Sequence, residues 1–325
     1  MNRRNRTVTE PFQEYRGTAY LDKVDPDQRT ALYAWQEVLR LGQGTLVDGE
    51  YFINSQIYLC KETAGYIYSK YSPTEVNYQP GSRPFLEKVV KGLGIMGRSD
   101  FERFLWLARF VRDLPDARGW DLGKEGQDGG TEEELIKKRV LVCNEQARLM
   151  VTLCQVAGLP ARYIGHHIGG HGVTEVYVDG HWGYHDIRGK FFLKKNGQMA
   201  STWEIWQNPK IIRQQPEWVT REVHPRYWYQ GDPYAATEHT YFHPKECTGV
   251  VNYFIADHHK FDYGRDWPMT KAARDISREL VKQRNAVRRK LRMFHTEAFT
   301  ARELRKIFGV FRNGRWTGAG TRGRG

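Results

Sequence analysis

Apolar positions recur at helical spacing in several places along the 325 residues, most clearly at Phe101, Phe104, Leu105, Leu107, Ala108, Val111 and Leu114. This set predicts a helix capped at Ser99 or Asp100 and ending near Pro115, because proline cannot continue a helix. Residues 29–41 predict an earlier amphipathic helix, with Leu32, Trp35, Val38 and Leu39 on one face and Gly42 as the stop. Thr131-Glu-Glu-Glu has the form of a capping box and predicts a short helix. From Asn144 the positions Ala147, Leu149, Met150, Leu153, Cys154, Val156 and Ala157 predict a helix apolar enough to be mostly buried, closed by Gly158 and Pro160.

The period then changes. Ala161–Gly165, Thr174–Val178 and Trp182–Ile187 read as strands, and Asp179-Gly180 between the last two is a type I′ hairpin signal. Residues 51–70 are rich in Tyr and Ile without a clean period, so their type stays open. Residues 200–260 are rich in aromatic and turn residues and are expected to complete or cover a sheet. Beyond Thr270, Ile276, Leu280, Val287, Leu291 and Phe294 recur at helical spacing, Thr300–Gly309 suggests a further short helix, and the glycine- and arginine-rich end reads as disordered. Three prolines and a glycine in residues 71–84 suggest a boundary. The expected division is a mainly helical N-terminal region over 1–80, a core over 81–265, and a basic helical extension with its tail over 266–325. The polar stretch 116–130 is a long loop, which in a compact domain is a lid or a mobile segment.

Charge changes this picture only at one end. The chain carries 50 Lys and Arg against 38 Asp and Glu, but from Lys271 onward there are 16 against 4, so the first 270 residues balance. Any attraction to nucleic acid or another polyanion therefore belongs to the tail, where Arg288-Arg-Lys-Leu-Arg292 and the terminal Arg-Gly repeats lie. The first twenty residues hold no apolar signal core and no stretch nears eighteen apolar residues, so membrane insertion is not expected. Cys60, Cys143, Cys154 and Cys247 are scattered without metal or disulfide spacing, which suits a reducing, cytoplasmic setting. Cys143 and Cys154 on one helix would lie roughly 16 Å apart, too far for a bridge.

The candidate chemistry is Cys143 at a helix start, His171 just before a strand and Asp186 late in the next. Antiparallel pairing about Asp179-Gly180 brings His171 level with Asp186. A thiol at the positive end of a helix, beside an imidazole held by a carboxylate, is the apparatus of a cysteine nucleophile. The bland readings are a structural cysteine, a loop histidine and an aspartate capping a turn. His166, His167, His181 and His185 offer other imidazoles, and with His171 and Asp186 they raise a zinc reading that leaves the cysteine unexplained. Glu175 has at most a partner role, because its strand position suits a solvated face equally well. Trp106, Trp120 and Gln127 are upstream candidates for an oxyanion donor.

The stretch CNEQARLMVTLCQVAGLPARYIGHH, followed by HGVTEVYVDGHWGYHD, resembles the core of the transglutaminase-like superfamily over about 45 positions. Its landmarks are the Cys at a helix start, Gly158-Leu-Pro-Ala-Arg162, the His before a strand, Asp179-Gly-His-Trp182 and the closing Asp. The resemblance implies an α+β fold of the transglutaminase/papain-like cysteine proteinase type, with the Cys-bearing helix packed on an antiparallel sheet carrying His and Asp. It implies Cys143 as nucleophile, His171 as base and Asp186 as the group orienting the imidazole, with no cofactor and no metal. The implied reaction is acyl transfer from an amide, of a peptide bond or a glutamine side chain, through a thioester, read first as hydrolysis by a peptidase or amidase. The alternatives are a transamidating transglutaminase and a catalytically silent scaffold that docks nucleic acid or a polyanionic partner through its basic tail. Two departures are Val173, where relatives carry an aromatic wall of the acyl pocket, and Asn144, where a smaller residue is usual.

Overall fold

The computed structural model describes residues 56–59, 61–69, 74, 76, 78–115, 131–139, 142–166, 169–229, 231–244, 246, 248–251, 310–312 and 315–317. The helix expected over 29–41, the loop 116–130, Cys60, Cys247 and almost all of the basic extension lie outside them.

The centre of the fold is an antiparallel sheet of six strands, in the order β1-β6-β2-β3-β4-β5. These are β1 (Gln56–Tyr58), β2 (Ala161–His166), β3 (His171–Val178), β4 (His181–Asp186), β5 (Lys190–Phe191) and β6 (Thr248–Val251). Together with the helices this is an α+β architecture. The segment left open at 51–70 contributes β1 and a helix α1 (Lys61–Ile67), so residues on the N-terminal side of the expected boundary at 80 pair directly with the sheet of the core.

Both faces of the sheet are covered. Against one lie α2 (Pro84–Gly92), α3 (Asp100–Asp113), α4 (Glu132–Lys138) and α5 (Cys143–Val156), with Leu86, Leu107, Leu149, Val176 and Val178 in one apolar cluster. Against the other, Ile67 of α1 packs with Ile164, Val173, Tyr184, Tyr241 and Val250. This second layer includes α6 (Thr202–Gln207), α7 (Lys210–Arg213) and a π-helical turn at Thr237–Tyr241, and α8 (Glu217–Glu222) lies beside β5. Double coverage explains why β3 is buried almost throughout and does not alternate.

The start signals act as the sequence predicts. Ser99 and Glu102 form a full capping box on α3, and Thr131 and Glu134 form one on α4. Asp179 and Gly180 both take positive φ, 50° and 79°, as a type I′ turn requires, and Val178 pairs with His181 around them. A second hairpin joins β7 (Val310–Arg312) and β8 (Arg315–Thr317), where the sequence reading placed no strand. The Asn313-Gly314 pair between them was the available signal. Among the described residues, no helix is long and apolar enough to cross a membrane.

Candidate active site

Cys143 is the first residue of α5, whose N-cap, Val142, offers no side-chain hydrogen bond. The backbone N–H groups of that turn are therefore unspent within the helix and point outward from its positive end. The thiol is half-buried, whereas the rest of α5 sinks into the core from Glu145 onward. Approach of β3 to this helix end depends on Gly172. A Cβ there would strike the Tyr163 hydroxyl and come within 3.0 Å of the Asn144 Cα.

His171 is the first residue of β3, inside the strand instead of before it, paired with His166 across to β2. Asp186 ends β4, and the register Thr174↔His185 sets the two side chains diagonally on one face. The His171 Nε2 donates to Asp186 Oδ1 at 3.0 Å, and both side chains are buried. Engagement of Nε2 leaves Nδ1 as the ring nitrogen that can meet the thiol. The Tyr241 ring stacks on the imidazole at 4.4 Å, and the segment before His171 is held by a hydrogen bond from the Gly169 N–H to Glu246 at 2.6 Å. The thiol thus comes from a helix of the first apolar cluster and the imidazole is backed by an aromatic of the second.

The charges at this site reinforce one another. Burial works against the Cys143 thiolate, but the His171 charge and hydrogen bond, the Arg188 charge and the Gly172 N–H together hold the thiol below its ordinary value. Burial likewise disfavours the imidazolium, and Asp186 and Cys143 outweigh it, so His171 is raised. Asp186 is held well below the usual carboxylate range against its own burial, by His171, Lys190 and Arg188. Lys190 lies fully buried with its Nζ 3.5 Å from Asp186 Oδ2, and the Arg188 backbone N–H donates to Asp186 Oδ1 at 3.1 Å. Cys154, three turns along α5, is sealed in the core, and burial pushes its thiol up.

The remaining histidines do not converge. His166 meets Thr248 at 3.2 Å, His181 meets Glu204 at 2.8 Å and His185 meets Thr174 at 3.2 Å, while His167 lies outside the described residues. Among the described residues, no group of three or more His, Cys, Asp or Glu side chains is arranged to hold a metal. Trp106 sits on the exposed side of α3 between Arg98 and Arg109, and Trp120 and Gln127 lie outside the described residues. Val173 packs into the second apolar cluster, and the aromatic face against the imidazole is supplied instead by Tyr241, far along the chain.

Glu175 is not on a solvated face: it is fully buried and accepts from Arg162 Nε at 2.8 Å, Tyr68 Oη at 2.8 Å and the Thr202 N–H at 2.7 Å. The guanidinium of Arg162 lies between the rings of Tyr68 and Trp182. The sequence marked Ala161–Gly165 as a strand but carried no signal for its register against β3, so the cross-strand pair Arg162↔Glu175 was invisible to it. Arg188, Lys190 and Tyr241 were also missed. The alternation Asp186-x-Arg188-x-Lys190 was the only local signal for the first two, and Tyr241 had none.

Comparison with curated proteins and with solved structures gives no significant match. Residues 97–187, which run from just before the cap of α3 to just past the end of β4 and contain Cys143, His171 and Asp186, match the family model of the transglutaminase-like superfamily.

Proposed function

We propose that the chain is a cysteine-dependent enzyme that cleaves an amide of a peptide or protein through a thioester, with water as the acceptor. Cysteine-based acyl transfer is the general chemistry of the matched superfamily. The observation that carries the reading here is His171, bonded through Nε2 to Asp186 at 3.0 Å and bearing on a thiol that is held below its ordinary value.

In this reading the Cys143 sulfur attacks the carbonyl carbon, and the carbonyl π electrons move to oxygen. The Cys143 N–H at the start of α5 stabilises that oxyanion. Collapse breaks the C–N bond as His171 delivers its proton to the departing nitrogen, leaving a thioester. His171, now neutral, takes a proton from water, whose oxygen bonds the acyl carbon. The C–S bond breaks, releasing a carboxylic acid and restoring the thiolate and imidazolium. Asp186 keeps Nε2 protonated and the ring in place throughout. A reducing, cytoplasmic compartment suits a free thiol with this role.

Alkylation by iodoacetamide at neutral pH tests the nucleophile. Cys143 is expected to label at least tenfold faster than Cys60, Cys154 and Cys247, with the rate following thiolate formation to a pH below the ordinary thiol range. Equal, slow labelling of all four would overturn the reading. Digestion of a peptide library with a fluorescent primary amine present, read by mass spectrometry against Cys143→Ala, is expected to give new acids. Amine adducts in their place would assign transamidation.

A further inference from the structure

Most buried or half-buried arginines in this fold have their own carboxylate: Arg162 has Glu175, Arg83 has Glu132 and Arg112 has Glu222. Arg188 does not. Among the described residues, no carboxylate lies within ion-pair distance of its guanidinium. Asp186 is the nearest acid in sequence, and its Oδ1 accepts from His171 and the Arg188 backbone N–H while its Oδ2 faces the Lys190 ammonium at 3.5 Å. The side chain is half-buried, its Nη1 3.4 Å from the Tyr241 hydroxyl and its Cζ 5.0 Å from the centroid of Tyr227. The same Tyr241 ring stacks on His171. A cation with unspent donors and aromatic walls thus stands one phenol ring away from the imidazole.

That placement has a direction. His171 gives its proton to the departing nitrogen, so the leaving group lies at the imidazole. In an α-amino acid the carboxylate carbon is only roughly 2.5 Å from that nitrogen, across N–Cα–C, and each further residue moves it by about 3.5 Å. The planar fork of arginine suits a carboxylate bidentately.

We propose that Arg188 binds the C-terminal carboxylate of the leaving residue, which makes the substrate a peptide cut immediately before its last residue. This rests on the acyl-transfer reading above. Arg188 is then a specificity residue, and the enzyme acts as a carboxypeptidase.

The test uses two peptides that differ only in ending as a carboxylate or as a carboxamide. The native protein is expected to favour the carboxylate at least tenfold in kcat/KM, Arg188→Lys to retain part of that ratio, and Arg188→Gln to bring it near one. Equal cleavage of the two peptides by the native protein, or a ratio retained in Arg188→Gln, overturns the proposal. The same peptides titrated calorimetrically into Cys143→Ala separate recognition from chemistry. Preference for the carboxylate form, lost in the Cys143→Ala, Arg188→Gln double variant, supports Arg188 even if the native protein cuts neither peptide, in which case the acyl-transfer reading is what fails. Cleavage of both peptides without preference leaves that reading standing and removes this one.

Discussion

Two histidines on neighbouring strands are driven in opposite directions by what surrounds them. Burial pushes His185 down to about 4, with the Asp186 charge opposing it only in part. His171 is equally buried but bonded to that carboxylate, and it is raised. For His185 the unfolded chain takes a proton first, near pH 6.5. Its contribution is therefore full above that pH and is lost as pH falls toward about 4, on the order of 3 kcal/mol. For His171 the sign reverses: its contribution is present below about pH 6.5 and is lost as pH rises through the raised native value. Urea unfolding followed across pH 4 to 7 is expected to show a shallower acid-side loss of stability in His185→Gln than in the native protein. An unchanged slope would mean that His185 does not carry the proton linkage. Asp186 belongs to the other class: depressed in the fold, it stabilises above its unfolded value near 3.9, and this is lost as pH falls through the native one.

At the scale of elements, the meeting of α5 and β3 depends on a residue that has no side chain. Gly172→Ala has an ordinary backbone conformation available to it, and the Tyr163 hydroxyl can swing aside, but the Asn144 Cα belongs to the backbone of α5 and must move with the helix. The expected outcome is a folded protein, destabilised by about 1 to 3 kcal/mol, in which iodoacetamide labelling of Cys143 slows by roughly tenfold or more as the helix end shifts away from His171. Native labelling rates in that variant would show that the contact does not set the geometry. The elements themselves were legible wherever local chemistry decides them: the capping boxes of α3 and α4, the apolar run of α5 and the Asp179-Gly180 turn are signals within a few residues. The start of β3 was not, because the glycine-rich run Gly169-Gly-His-Gly172 looks like loop and becomes strand only by pairing with Gly165 and His166. Cys143, His171 and Asp186 could be singled out because two of them flank one hairpin. Tyr241 and Glu175 act across elements that no short spacing connects, and the Arg188 side chain, though two residues past Asp186, meets the imidazole's surroundings through Tyr241.

Over the whole molecule, Glu175 gathers the most distant parts, with bonds to Tyr68 beyond α1, Arg162 on β2 and the first backbone N–H of α6. Removing one partner of a buried pair leaves the other charge unpaired, so Glu175→Ala is expected to cost about 3 to 5 kcal/mol in urea unfolding. The double variant Arg162→Met, Glu175→Leu is expected to recover much of that, because an apolar replacement leaves no buried charge behind. A loss under about 1 kcal/mol in the single variant would show the pair to be accessible to water. The Tyr241 ring against His171 carries a different consequence, one of timing. Synthesis runs from the N-terminus, and Cys143, His171 and Asp186 all leave the ribosome well before Tyr241, Glu246 and β6. A nascent chain that already contains all three groups still lacks the ring behind the imidazole, the anchor of Gly169 and the strand that joins β1 to β2. The site is thus completed late in synthesis, and a chain truncated before residue 241 carries Cys143, His171 and Asp186 without the ring that stacks on the imidazole or the anchor of Gly169.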